Sequence, residues 1–218
     1  MKLKTLIFDL DGTLLDTIPG LHQSVNAALE VCGYEGRTLE EVTAFVGNGL
    51  NKLIERALPG GLRNPDYDRC LSAFLADYEY TLFSGAKPYG GILPMLETLR
   101  QEGYHMAVVS NKQDIAVRLL NDRYFPGLIG VAIGEKRGVA RKPAPDSVYA
   151  ALKELGVTAA GAAYIGDSEV DIETARNAGL PCFSVTWGTR SVAQLLAAGA
   201  TTLCHTPEEL LETIHTYE

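Results

Sequence analysis

A chain of 218 residues with a formal charge of −8 suits one large domain or a core with a modest insertion, and its charge argues against a nucleic-acid partner, which demands a basic face. The apolar share, 46%, is ordinary for a soluble protein, and no stretch approaches the length of a membrane span. Cys32, Cys70, Cys182 and Cys204, like the four histidines, are scattered without C-x-x-C or paired Cys/His spacing, so the cysteines read as reduced thiols and not as a disulfide frame or a zinc site.

The first element is the run Leu3 to Phe8, nearly all apolar, which reads as a strand buried on both faces of a parallel sheet. It ends abruptly in Asp9 and Asp11, followed by Gly12 and Thr13. The same acids interrupt the segment after Lys2 and Lys4 too early for a signal peptide, and a cytoplasmic location is expected. Parallel α/β sheets bind ligands beyond the carboxyl ends of their strands, where Asp9 and Asp11 would emerge. Two acids so close repel, and a bound magnesium ion removes the penalty. Taken alone, the pair reads better as a solvated turn, and the rest of the chain overturns that reading.

Helical spacing follows over 19–31; Thr38 and Glu41 resemble a capping box opening a helix through Val46. Gly47-Asn48-Gly49 breaks that helix, and helical patterns resume over 50–58 and 69–83. The segment 16–85 thus reads as an inserted helical cap domain without a strand, and 1–15 with 86–218 as the core domain. After Pro88-Tyr89-Gly90-Gly91 the rhythm alternates: helix 92–102, strand 106–109, helix 113–121, strand 130–133, helix 146–155, strand 162–165, helix 170–178, strand 181–186, and a short edge strand at 201–204 before a last helix. Repeated βα units give a right-handed, doubly wound parallel sheet. With the insert excised, the first crossover has the size of one βαβ unit, about 30 residues, which places the insert beside Asp9 and Asp11 as a lid.

Four polar clusters lie at strand ends or in loops on one side of that sheet: Asp9/Asp11, Ser110/Asn111, Lys142, and Asp167/Asp171. Each has a plain explanation by itself, as a cap, a turn or a solvated cation. Together they supply what phosphoryl transfer from a monoester requires. Asp9 is the candidate nucleophile, and Asp11 the acid that protonates the leaving alkoxide and then deprotonates water. Gly12, Thr13, Ser110 and Asn111 would hold the phosphoryl oxygens. Lys142 would offset the negative charge and orient Asp9, while Asp167 and Asp171 complete a metal-binding set.

Asp9-Leu10-Asp11-Gly12-Thr13, Ser110-Asn111-Lys112, Lys142-Pro143 and Gly166-Asp167-Ser168-Glu169-Val170-Asp171 resemble, in the right order, the four motifs of the haloacid dehalogenase-like hydrolases. The resemblance implies a Rossmann-like core, magnesium, an aspartyl-phosphate intermediate, and a metal ligand set that includes the backbone carbonyl of Asp11. The helical insert resembles the small cap of the phosphoglycolate phosphatase-like branch, with Val46-Gly47-Asn48-Gly49, Pro88-Tyr89-Gly90-Gly91 and Val185-Thr186-Trp187-Gly188 as supporting details. It makes Asn48, Lys52 and Arg56 the candidates to meet a substrate carboxylate. A small phosphorylated metabolite is the expected partner, with no nucleic acid or membrane, and a monomer or homodimer the expected assembly. A dehalogenase would not need Asp11. A pyrophosphatase or nucleotide phosphatase, a phosphomutase, and a catalytically silent phospho-ligand-binding regulator are the competing readings.

Overall fold

The computed structural model describes residues 2–217. Its strands are β1 (Thr5–Phe8), β2 (Leu15–Asp16), β3 (Lys87–Pro88), β4 (His105–Gln113), β5 (Val131–Glu135), β6 (Ala162–Gly166), β7 (Cys182–Val185) and β8 (Leu203–Cys204). Its α-helices are α1 (Ile18–Cys32), α2 (Leu39–Phe45), α3 (Leu50–Ala57), α4 (Tyr67–Ser84), α5 (Ile92–Gln101), α6 (Asp114–Tyr124), α7 (Asp146–Leu155), α8 (Glu169–Ala178), α9 (Val192–Ala197) and α10 (Pro207–Thr216).

Six strands form a parallel sheet in the order β5-β4-β1-β6-β7-β8. This is the doubly wound α/β architecture expected from the alternating pattern. Strand β1 is central, paired on one side with β4 and on the other with β6, and Leu6, Ile7 and Phe8 are wholly buried. A strand covered on both faces has no polar side, which is why its sequence does not alternate. The chain winds outward from β1 through β4 to β5, then returns to the other side of β1 for β6, β7 and β8. The switch in direction lies between β1 and β6, the place where such sheets open a crevice for ligands. Asp9 follows β1 and Asp167 follows β6 directly at that switch. Below it, Ile7, Val109, Ile133 and Tyr164 form one apolar layer with Val148 and Leu152 of α7 and Ala175 of α8.

The chain divides into two compact units: the sheet unit, from the segments before Asp16 and after Lys87, and a helical unit of Asp16–Lys87. In the helical unit α1 and α4 lie side by side, burying Leu21, Val25 and Leu29 with Phe74 and Tyr78, whose rings stack at 5.4 Å. The helices approach so closely near their ends that a Cβ on Gly20 would reach Gly85 Cα at 2.9 Å. Glycine is the residue that permits such contact. The capping box at α2 forms: Thr38 Oγ1 accepts from the Glu41 N–H at 3.2 Å, and Glu41 Oε2 accepts from the Thr38 N–H at 2.8 Å.

Several sequence expectations need correction. Cys32 and Cys70 are not separate thiols but a disulfide-bonded pair, with Cα atoms 6.1 Å apart; Cys182 and Cys204 are free. Side-by-side packing of α1 and α4 brings together positions whose sequence separation is 38, and spacing along a chain does not reveal such a pairing. Strand β4 is longer than the expected 106–109 and runs on to Gln113 through a register irregularity after Val109, with Ser110, Asn111 and Lys112 at its end as expected. The insert read as strandless is flanked by the paired two-residue strands β2 and β3. Helix α9 was not anticipated, although Ser191 and Gln194 supply its capping box.

Candidate active site

The loop after β1 is held by its own backbone. The N–H groups of Leu14 and Leu15 donate to Leu10 O, and that of Gly12 donates to Leu15 O at 2.9 Å. Gly12 has φ +85°, and a Cβ there would run into the Asp167 carboxylate, so the loop tolerates only glycine at this point. Asp9 stays in register, its N–H donating to Ile165 O at 2.8 Å, while its carboxylate leaves the sheet.

Carboxylate oxygens of Asp9, Asp167 and Asp171 lie within 4.8 Å of one another, all three side chains being buried. Lys142 Nζ is set among them, 2.9 Å from Asp9 Oδ1, 2.8 Å from Asp171 Oδ1 and 3.1 Å from the Tyr164 hydroxyl. Its three N–H donors thus have three partners. Burial alone would push the Lys142 ammonium down, yet Asp171 and Asp9 outweigh it and hold the pKa well above the ordinary lysine value. Burial, and then the Asp171 charge, push Asp9 well above the usual carboxylate range despite Lys142. The same two causes raise Asp167 to about 6.

These shifts describe a site short of positive charge. Asp9, Asp11, Asp167 and Asp171 are opposed by the ammonium groups of Lys142 and of Lys112, which lies 2.6 Å from Asp11 Oδ1. Such an excess of buried carboxylates suits a divalent cation. The acids differ in remaining capacity. Asp171 accepts from the Ser168 N–H and hydroxyl on Oδ2 and from Lys142 and the Tyr164 hydroxyl on Oδ1, which fills about four lone-pair sites. Asp167 accepts from the Thr13 hydroxyl at 3.0 Å and from the Thr189 N–H and hydroxyl at 2.8 and 2.6 Å. Asp9 accepts from the Leu10 N–H and from Lys142, both on Oδ1.

The haloacid dehalogenase-like hydrolase family matches residues 6–185. The chain belongs to it. A phosphoglycolate phosphatase from Rhodobacter capsulatus is 35% identical over 199 residues, covering 85% of each chain. A Pseudomonas putida protein of the same name is 33% identical over 195 residues, covering 85% of this chain and 70% of its own. A solved structure from Lactobacillus delbrueckii subsp. bulgaricus, provisionally described as a phosphoglycolate phosphatase, superposes with a TM-score of 0.94 at 38% identity, covering 99% of this chain and 100% of that one. The chain is therefore a haloacid dehalogenase-like hydrolase of the phosphoglycolate phosphatase-like branch.

In this hydrolase the sheet unit brings Asp9, Asp11, Gly12, Thr13, Ser110, Asn111, Lys142, Asp167 and Asp171 to the carboxyl-end side of the sheet. Some are already engaged with protein. The Thr13 hydroxyl serves Asp167, Asn111 Nδ2 donates to Lys142 O at 3.1 Å, and Ser110 Oγ accepts from the Lys112 N–H at 3.2 Å. Within the helical unit Arg56 braces the glycine-flanked loop, donating to Phe45 O at 2.7 Å and to Asn48 Oδ1 at 2.8 Å, while Lys52 pairs with Glu55 at 2.6 Å.

Several supporting residues have a role that the sequence reading does not assign. Tyr164, inside β6, supplies the hydroxyl between Lys142 and Asp171. The loop after β7 clamps the site: Trp187 Nε1 donates to Thr13 O at 3.0 Å, and Thr189 holds Asp167. Between them, a Cβ on Gly188 would collide with Asp167 and with Gly12 O. Arg190 forks onto Glu169, Nε to Oε2 at 2.8 Å and Nη2 to Oε1 at 3.2 Å, tying that loop to the start of α8. Val185-Thr186-Trp187-Gly188 belongs to the family resemblance, but the sequence assigns its residues no role.

Proposed function

We propose that this chain hydrolyses small phosphate monoesters in a magnesium-dependent reaction that passes through a phosphoryl group on Asp9, with 2-phosphoglycolate the leading substrate. One observation carries the reading: a buried Asp9 placed between Lys142 and the acidic pair Asp167/Asp171 at the switch point of the sheet. Asp9, Asp167 and the carbonyl of Asp11 would hold the ion. Asp171, part of the same cluster, chiefly fixes Lys142 and the first turn of α8. Magnesium, when bound, offsets the charge of the carboxylates and of the phosphoryl group.

The chain's own residues perform the rest. Lys142 holds Asp9 Oδ1 in place, and a carboxylate oxygen of Asp9 attacks phosphorus as the bond to the leaving oxygen breaks. Asp11 gives its proton to that oxygen, then takes one from the water that attacks phosphorus and frees Asp9. The Ser110 hydroxyl would hold a phosphoryl oxygen. In this reading the helical unit acts as a cap. Asn48, Lys52 and Arg56 recognise the substrate carboxylate, and closure excludes water. The names of the relatives support the substrate.

The test is phosphate release, with magnesium, across 2-phosphoglycolate, sugar phosphates, nucleoside monophosphates and pyrophosphate, with Asp9→Asn as control. A sharp preference for 2-phosphoglycolate is expected. A preference for pyrophosphate or nucleotides would overturn the substrate, and release undiminished in Asp9→Asn would overturn the nucleophile.

A further inference from the structure

We propose that Lys112 is a positioning residue for the acid–base carboxylate, fixing the rotation of Asp11 through their ion pair. The proposal rests on the acid–base reading of Asp11. Lys112 Nζ lies 2.6 Å from Asp11 Oδ1, across 101 residues of chain. The lysine side chain is 3% exposed and the aspartate 14%. A lysine so deeply placed needs a partner, because a buried ammonium without one is expensive. General neutralisation of the site does not account for the contact. Lys142 already gives its three donors to Asp9, Asp171 and Tyr164, whereas Lys112 reaches the acid outside that cluster.

The backbone geometry is arranged for the contact. Beyond Val109 the pairing of β4 with β5 lapses, and it resumes at Gln113 in a shifted register. Within that irregular stretch the Lys112 N–H turns back to Ser110 Oγ at 3.2 Å. A bulge re-aims side chains that a regular strand would alternate between faces. On the other side, the hydrogen bonds among Leu10, Gly12, Leu14 and Leu15 already fix the backbone carrying Asp11. An ammonium on Oδ1 restricts the rotation of the Asp11 side chain. Lys112 itself donates no proton and touches no substrate. It aligns the Asp11 carboxyl group, which in its acid form delivers a proton to the leaving oxygen as the ester P–O bond breaks and the electron pair goes to that oxygen, and is left as the carboxylate. The same carboxylate then receives a proton from water as the Asp9–phosphorus bond breaks.

The discriminating experiment compares kcat/KM for the alkyl ester 2-phosphoglycolate with that for p-nitrophenyl phosphate, in the magnesium-loaded wild type, Lys112→Met, Lys112→Arg and Asp11→Asn. An alkoxide needs a proton to leave; a nitrophenolate does not. In Lys112→Met the alkyl-to-aryl ratio is expected to fall by about 10²-fold, within the range of a general-acid contribution. Lys112→Arg is expected to recover most of the ratio. Because both substrates are measured on one preparation, the ratio does not depend on how much of a variant folds. An unchanged ratio in Lys112→Met beside a lowered one in Asp11→Asn overturns the role of Lys112 alone. An unchanged ratio in both variants overturns the acid–base reading of Asp11 with it.

Discussion

Lys142 Nζ lies 2.9 Å from Asp9 Oδ1, and the lysine side chain is 3% exposed. The pair joins the end of β1 to a loop far along the chain, so it fastens the fold as well as the candidate nucleophile. Lys142→Met leaves Asp9 and Asp171 without their cation. Breaking a buried pair from one side costs roughly 3–5 kcal/mol, and urea unfolding of the metal-free variant should show a loss of that order. Phosphate release should fall to background in the same variant.

Asp167, together with Asp9, whose pKa is also raised, is expected to make metal binding at the candidate site depend on pH. Burial, with Asp171 next, raises the Asp167 pKa from an ordinary 3.8 to about 6. A group whose folded pKa exceeds the unfolded one contributes stability fully below the unfolded value and loses it as pH rises through the folded value. In the metal-free protein that contribution therefore disappears between about pH 4 and 6. Magnesium needs the ionised carboxylate, so its stabilising effect should be largest above pH 6 and shrink below it. Thermal melts with and without magnesium at pH 7.5 and pH 5 measure the difference. An equal magnesium increment at both values would contradict it.

Thr189 tests the loop after β7. Its N–H and hydroxyl both reach Asp167 Oδ2, and Thr189→Val removes the hydroxyl bond of 2.6 Å. Groups that orient a metal-bound carboxylate are typically worth about 10–100-fold in metal affinity, and titration calorimetry with magnesium should register a loss in that range. Circular dichroism should leave the fold of this variant intact.

Gly188 tests close approach. The new methyl of Gly188→Ala meets Asp167 and Gly12 O, one a carboxylate and the other backbone. Overpacking of this kind costs about 1–3 kcal/mol. The melting temperature should fall, and magnesium affinity should fall with it, because the displaced groups carry the candidate metal site.

These predictions show where the sequence was informative. β1 was legible because a strand buried on both faces has an unmixed apolar composition, and the acids that end it break that pattern sharply. Lys142 and Asp167 were legible for a similar reason, as charged residues next to predicted elements. The roles of Tyr164, Trp187 and Thr189 were not, because they arise only when β6 and β7 pair and bring the following loop onto Asp167. The Cys32–Cys70 pair was hidden in the same way, created by the packing of α1 on α4 and not by any local spacing. Local signals such as the Thr38 and Ser191 capping boxes are written within four residues, yet only the first was recognised.

The account stands most directly on where the phosphoryl group goes. The decisive measurement is rapid acid quench of a single turnover with magnesium and p-nitrophenyl phosphate, followed by peptide mass analysis. The account predicts a phosphoryl adduct on the peptide carrying Asp9, and none in Asp9→Asn. An adduct at another residue, or turnover by Asp9→Asn at the wild-type rate, would contradict it.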